Sequence, residues 1–153
     1  MMKKIRPTVA ALALILATVL APISAQAAED ALQQRVDEVL AEFPGGVQTG
    51  RGEITWDDGE VILTLVDVTA KAVGTCASGR FCAYTGTYMS GAKISFTNCS
   101  GTNSVAPLGS AVHSFANARS SGTVHAYNGS TSVGSTTAGT YKNTTATVTR
   151  LGC

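Results

Sequence analysis

The sequence predicts an all-β fold, preceded by a short helix and a β-hairpin. After Cys76, short apolar runs alternate with Gly, Ser, Thr and Asn about every eight to twelve residues, the spacing of short strands joined by tight turns. Aromatic residues are few and Gly, Ser and Thr abundant, which disfavours a helical bundle. All 4 cysteines lie in this same part, where they can staple a small core.

The elements follow in chain order. Lys3, Lys4 and Arg6 precede an apolar run from Thr8 to Leu20 that is too short to span a bilayer. Pro22 and the small residues of Ala25-Gln26-Ala27 follow, so residues 1–27 read as a secretory signal cleaved before Ala28, and an extracellular product is expected. No other apolar run is long enough to cross a membrane, and no membrane association is expected after cleavage. About 125 residues remain, enough for one modest core. Over residues 29–43, Leu32, Val36, Val39, Leu40 and Phe43 recur at three- and four-residue steps, which predicts a helix ended by Pro44-Gly45-Gly46. Strands over 53–56 and 61–65 flank the turn Asp57-Asp58-Gly59 and predict a hairpin. Further strands are expected at 80–85, 92–97, 111–116, 122–127, 137–141 and 145–150. The organisation read from this is a leader over 1–27, an acidic helix-plus-hairpin segment over 28–75 and a β domain over 76–153.

A formal charge of +1 conceals a division. All 10 carboxylate side chains fall between residues 29 and 67, against only Arg35 and Arg51. Beyond them the charges are Lys71, Arg80, Lys93, Arg119, Lys142 and Arg150. The acidic segment either folds back on the basic part by charge or differs from it by accident of composition.

Cys76, Cys82, Cys99 and Cys153 admit three pairings, of which Cys76–Cys82 and Cys99–Cys153 are expected. Their spacing lacks the paired knuckles of a zinc site. The frame Ala-Tyr-x-Gly-x-x-x-x-Gly occurs twice, from Ala83 to Gly91 and from Ala126 to Gly134. It reads as a duplicated hairpin with a Tyr over a tight turn and Gly at positive φ.

Cys76-Ala77-Ser78-Gly79-Arg80-Phe81-Cys82-Ala83-Tyr84 forms a small cysteine loop leading into an aromatic strand; Tyr84 is followed by Gly91, and Asn117-Ala118-Arg119-Ser120-Ser121 carries a serine pair. On these motifs residues 76–153 resemble the βγ-crystallin-like domains, and within them the secreted metalloproteinase inhibitors of Streptomyces and its relatives. The resemblance implies a βγ-crystallin-like Greek-key sandwich, a serine pair that closes over the hairpin, and inhibition of extracellular metalloproteases. The chain departs from the family in lacking a second local cysteine loop. Asn117 and Ser121 are the only calcium candidates, and Ala116 stands where another Asn or Asp is usual. Without carboxylates such a site would be weak.

The residue inventory does not point to catalysis. The β domain has no carboxylate pair for glycoside hydrolysis and no acid to orient His113 or His125 in a triad. Neither His-Glu-x-x-His nor Gly-x-Ser-x-Gly occurs. His113 and His125 read as strand histidines, solvated or hydrogen-bonded, and Trp56 as a core residue. Six dispersed cations make no nucleic-acid patch. The triplets at Asn98, Asn128 and Asn143 are glycosylation acceptors only in a eukaryotic secretory pathway. The expected function is therefore binding, without cofactor and as a monomer; an extracellular protease as partner is what the resemblance implies. From spacing alone, residues 97–109, anchored at Cys99 and carrying Ser100, Val105, Pro107 and Leu108, are either the presenting loop or an ordinary long crossover of the Greek key. The alternative is a structural or glycan- and cell-wall-binding module using Tyr84, Tyr88 and Tyr127.

Overall fold

The computed structural model describes residues 23–66 and 75–153. Most of the expected leader, including its charged and apolar parts, lies outside the described residues, as does most of the link between the hairpin and Cys76. Helix α1 spans Ile23–Glu42. It begins earlier than the expected residue 29 and runs through the expected cleavage point, because the alanine-rich stretch before Glu29 has high helix propensity. Leu32 and Val36 are buried, and Val39 and Leu40 pack against the same core. Gly45, at φ +89°, turns the chain away after Pro44.

Three antiparallel strands follow: β1 (Val47–Gly50), β2 (Glu53–Trp56) and β3 (Val61–Thr64). The β2–β3 hairpin is the expected one, with Asp57 and Asp58 both left-handed at its turn. Strand β1 was not expected, since all its residues are exposed and it shows no apolar alternation. Next come β4 (Phe81–Tyr84), β5 (Lys93–Phe96), β6 (Thr102–Ser104), β7 (Ser114–Asn117), β8 (Thr123–Asn128), β9 (Thr131–Thr137), β10 (Thr140–Asn143) and β11 (Arg150–Gly152). Three expectations need correction. The strand placed at 111–116 begins only at Ser114. The strand placed at 137–141 straddles a turn, with Gly139 at φ +73°, that separates β9 from β10. The strand placed at 145–150 reaches the sheet only at Arg150. Strands β6 and β9 escape sequence reading because they consist almost wholly of Thr, Ser, Asn and Gly.

The strands form two antiparallel sheets, a seven-stranded one in the order β1-β2-β3-β5-β4-β7-β10 and a four-stranded one in the order β6-β11-β8-β9. From β4 onward the chain makes two quartets. In each, the third strand leaves its own sheet: β6 joins β11 and β10 joins β7. Each quartet thus closes the other's sheet, and Phe81, Phe96, Phe115, Val124, Ala126 and Leu151 fill the space between. Phe81 and Phe96 stack at 5.4 Å. Each of the Phe, Val and Leu side chains among them contributes about 1.5–3 kcal/mol.

The acidic segment shares that core. Strand β3 pairs with β5, setting Val61 against Phe96 and Leu63 against Ile94. Leu32, Val36, Ile54 and Leu63 belong to the same apolar cluster as Phe81. Among the described residues, no ion pair crosses this junction. The ion pair found among the described residues, Arg51 to Glu29 at 2.8 Å, lies within the acidic segment and is exposed on both sides. Across the junction, the Arg80 guanidinium donates to the backbone carbonyls of Gly59 and Glu60, and the Asn98 amide to the Glu60 carboxylate at 3.4 Å. Strand pairing and apolar burial hold the two parts together.

Both disulfides form as expected. Cys76–Cys82 closes a short loop before β4, and Cys99–Cys153 joins the approach to β6 with the end of β11.

Candidate functional site

Alternation along β4 sends Phe81 and Ala83 inward and Cys82 and Tyr84 to the opposite face of the large sheet, where they form a second buried cluster with Ala116. Two segments cover that face: the Cys76–Cys82 loop and the connection from β4 to β5. The connection, residues 85–92, is folded back on itself. The Thr85 N–H reaches the Ala92 carbonyl at 3.0 Å, the Gly86 N–H the Ser90 carbonyl at 2.9 Å, and the Ser90 hydroxyl the Thr87 carbonyl at 2.6 Å. Gly91 is indispensable here: φ is +81°, and a Cβ would strike the Thr85 hydroxyl, which accepts from the Ala92 N–H at 2.9 Å.

Two strands clamp the fold from below. On β7, the buried Ser114 hydroxyl donates to the Gly86 carbonyl at 2.6 Å and accepts from the Met89 N–H at 3.0 Å. On β10, the Asn143 side-chain oxygen accepts from the Tyr88 N–H at 2.8 Å. Between these clamps Tyr88 and Met89 sit consecutively in the left-handed region, at φ 55° and 58°. That conformation is costly for residues with a Cβ and persists because the surrounding bonds over-determine it.

Met89 turns down onto the Tyr84 cluster, and Tyr88 turns out, 64% exposed. Its ring meets that of Tyr141, also exposed, edge to face at 6.4 Å. Beside this pair lies a hollow of about 410 Å³, bounded by Met89, Tyr141, Thr140, Asn117 and Cys76. Among the described residues, no charged side chain lines it. The Tyr faces offer stacking, and the hydroxyl groups offer hydrogen bonds. Among the described residues, no group of three or more His, Cys, Asp or Glu is placed to hold a metal ion.

Tyr84 itself is fully buried, and its hydroxyl has no hydrogen-bond partner among the described residues. Burial away from water pushes its pKa up to about 12.

The residues singled out from the sequence are dispersed. In the segment 97–109, Val105 and Leu108 are buried in the main core, so they cannot reach a partner; the cause is that β6 and the following turn pack against the sheets. Ser100 is exposed and Pro107 half-buried, but the segment carries a strand and is no free crossover. Asn117 is buried and spends its side chain locally, donating to the Gly122 carbonyl and accepting from the Arg119 N–H, while Ser121 is exposed. The serine that closes over the hairpin is Ser114 rather than Ser120 or Ser121. Of the three tyrosines named for glycan contact, Tyr84 is buried, Tyr127 half-buried on the small sheet, and Tyr88 fully presented. His113 is exposed and His125 half-buried beside Tyr127. Sequence reading missed Tyr141 and used Asn143 only as a glycosylation triplet. The signal for both was their place two residues apart, hence on one face, in a strand that the sequence reading ended too early.

Compared with family models, with curated proteins and with solved structures, the chain matches none.

Proposed function

We propose that this chain is an exported peptidase inhibitor of extracellular metalloproteases, acting as a monomer through the folded loop of residues 85–92. The observation that carries the reading is the pair of left-handed residues, Tyr88 and Met89, locked by Ser114 and Asn143 so that Tyr88 projects from a rigid base. An inhibitor needs such a base, because a pre-ordered loop loses little entropy on binding. Export is supported by the charged, apolar and small-residue pattern of the first 27 residues and by two disulfides. A βγ-crystallin-like Greek-key sandwich is supported by the exchange of third strands between the quartets and by Ser114 beneath the first hairpin.

The test is titration of the purified, oxidised protein against a thermolysin-type protease while peptide hydrolysis is followed. Stoichiometric loss of hydrolysis is expected, with Tyr88→Ser weakening it by roughly 30-fold, as for a central aromatic anchor, and leaving thermal unfolding within about 0.5 kcal/mol of the parent. Undiminished hydrolysis at high micromolar protein would refute the reading.

One observation favours a second reading, a glycan- or cell-wall-binding module. The Tyr88–Tyr141 pair beside a hollow that no charged side chain lines among the described residues suits a sugar ring. Co-sedimentation with peptidoglycan or insoluble polysaccharide, lost on Tyr141→Ser, distinguishes it from inhibition.

A further inference from the structure

The second layer of the molecule is interrupted. Helix α1 lies against β2 and β3, while the small sheet ends at β6, whose outer edge has no partner strand among the described residues. Between the two is a hollow of about 340 Å³, separate in its lining from the one beside Tyr88. Trp56, Val61 and Phe96 supply its apolar surface, and Asn103 and Ser104 of β6 contribute to its wall. The Trp56 indole N–H is already satisfied by the Phe43 carbonyl at 3.1 Å, so the ring offers an apolar surface rather than a free donor.

Charge defines what this groove can take. Glu42 and Asp57 both line it, and both are exposed. Neither carboxylate makes an ion pair or a side-chain hydrogen bond among the described residues. The nearby Arg80 guanidinium is committed to backbone carbonyls of Gly59 and Glu60 and to the Ser95 hydroxyl at 3.5 Å. An open sheet edge recognises extended backbone, an apolar floor takes one side chain, and unpaired carboxylates favour cations beside it. We infer that the groove between α1 and β6 binds an extended cationic peptide segment of a partner protein. The segment adds a strand to β6, seats an apolar side chain over Trp56 and sets Lys or Arg residues toward Glu42 and Asp57.

The protein carries 1 Trp, so its emission reports directly from the groove. The experiment titrates the full, oxidised chain with a short peptide alternating Lys and Leu, with its Glu–Leu counterpart, and with a Lys–Leu peptide whose central Leu is Pro. The expected result is a saturable change in Trp56 emission with the Lys–Leu peptide and binding at least ~10-fold weaker for the other two. The double variant Glu42→Lys/Asp57→Asn, at exposed positions and with Asn keeping the left-handed turn at 57, is expected to lose the Lys–Leu preference. Equal binding of the Lys–Leu and Glu–Leu peptides, or an unchanged preference in the double variant, overturns the proposal. So does equal binding of the Pro peptide, which would show charge attraction without strand addition. A Trp56 emission that depends on protein concentration without any peptide would assign the groove to a second copy and also overturn it. Protease inhibition is not read in this experiment, so failure here leaves the Tyr88 loop untouched.

Discussion

The two quartets of strands begin with the same frame, Ala-Tyr-x-Gly, and end with different hairpins. In the first, Tyr84 is buried beneath a folded connection that Ser114 clamps from below. In the second, Tyr127 is half-buried, Asn128 and Thr131 close a tight turn, and Thr149 does the clamping. Its hydroxyl accepts from the Gly129 N–H at 2.9 Å and donates to the Tyr127 carbonyl at 3.2 Å. The repeated glycines also differ. Gly91 holds a positive φ that the folded loop needs, whereas Gly134 does not, and a Cβ there would make ordinary contact with Phe115. The longer first connection created the one thing the second lacks, a projecting aromatic on a rigid support. A shared sequence frame therefore specifies a shared strand end, and the number of residues before the next strand decides whether the turn merely reverses the chain or presents a side chain.

The largest expected effect concerns what ties the quartets together. Replacing Cys99 and Cys153 by Ser opens a loop with a sequence separation of 54 and costs about 4 kcal/mol in the chain-entropy model. Replacing Cys76 and Cys82 opens a separation of only 6 and costs about 2 kcal/mol. Urea unfolding at constant m value measures both, and equal losses would break the distinction between the global and the local staple.

Next comes the clamp. Ser114→Ala leaves the Met89 N–H and the Gly86 carbonyl without their partner and costs about 1–3 kcal/mol, and it frees the Tyr88 loop. Thr149→Val removes an exposed hydroxyl that water can replace and costs less than about 1 kcal/mol. Hydrogen exchange at the Met89 and Gly129 amides separates the two cases. A Met89 amide as slow in Ser114→Ala as in the parent would show that the hydroxyl is not what holds the loop.

The smallest effect is at Tyr84. Tyr84→Phe removes a buried hydroxyl with no partner among the described residues and is expected to be neutral or stabilising by up to about 1 kcal/mol. Its signature lies in alkali. In the fold the phenol's pKa is raised from 10.0 to about 12 by desolvation, so the unfolded chain ionises first. Stability contributed by this group is complete below pH 10.0, and it is lost as pH rises toward about 12. Thermal unfolding across that range is expected to fall less steeply in Tyr84→Phe than in the parent. Parallel curves would show that the phenol ionises alike in both states.

Much of the fold was legible because local chemistry signals it directly. The apolar recurrence from Leu32 to Phe43 marked the helix, Asp57-Asp58-Gly59 the hairpin turn, and the aromatic and β-branched residues of β4 and β5 two central strands. Strands made of Thr, Ser and Gly carry no such signal, so β6 and β9 were invisible and β10 was misplaced. The candidate site inherits that blindness. Tyr88 could be named as an aromatic, but its display depends on Asn143 of a strand whose end went unread. The segment 97–109 misled for a related reason. Its Val, Pro and Leu look like a projecting loop until the sheets are packed, and then Val105 and Leu108 are core.

The sequence by itself determined the all-β character and the concentration of all carboxylates in residues 29–67. Each follows from residue type and near neighbours along the chain. Only the tertiary structure decided that the acidic segment extends the main sheet through β3 and β5, that the quartets exchange their third strands, and that Tyr88 is presented while Tyr84 is buried. Those outcomes turn on which apolar faces find one another across long separations, and the backbone hydrogen bonds that seal them carry no mark of residue identity.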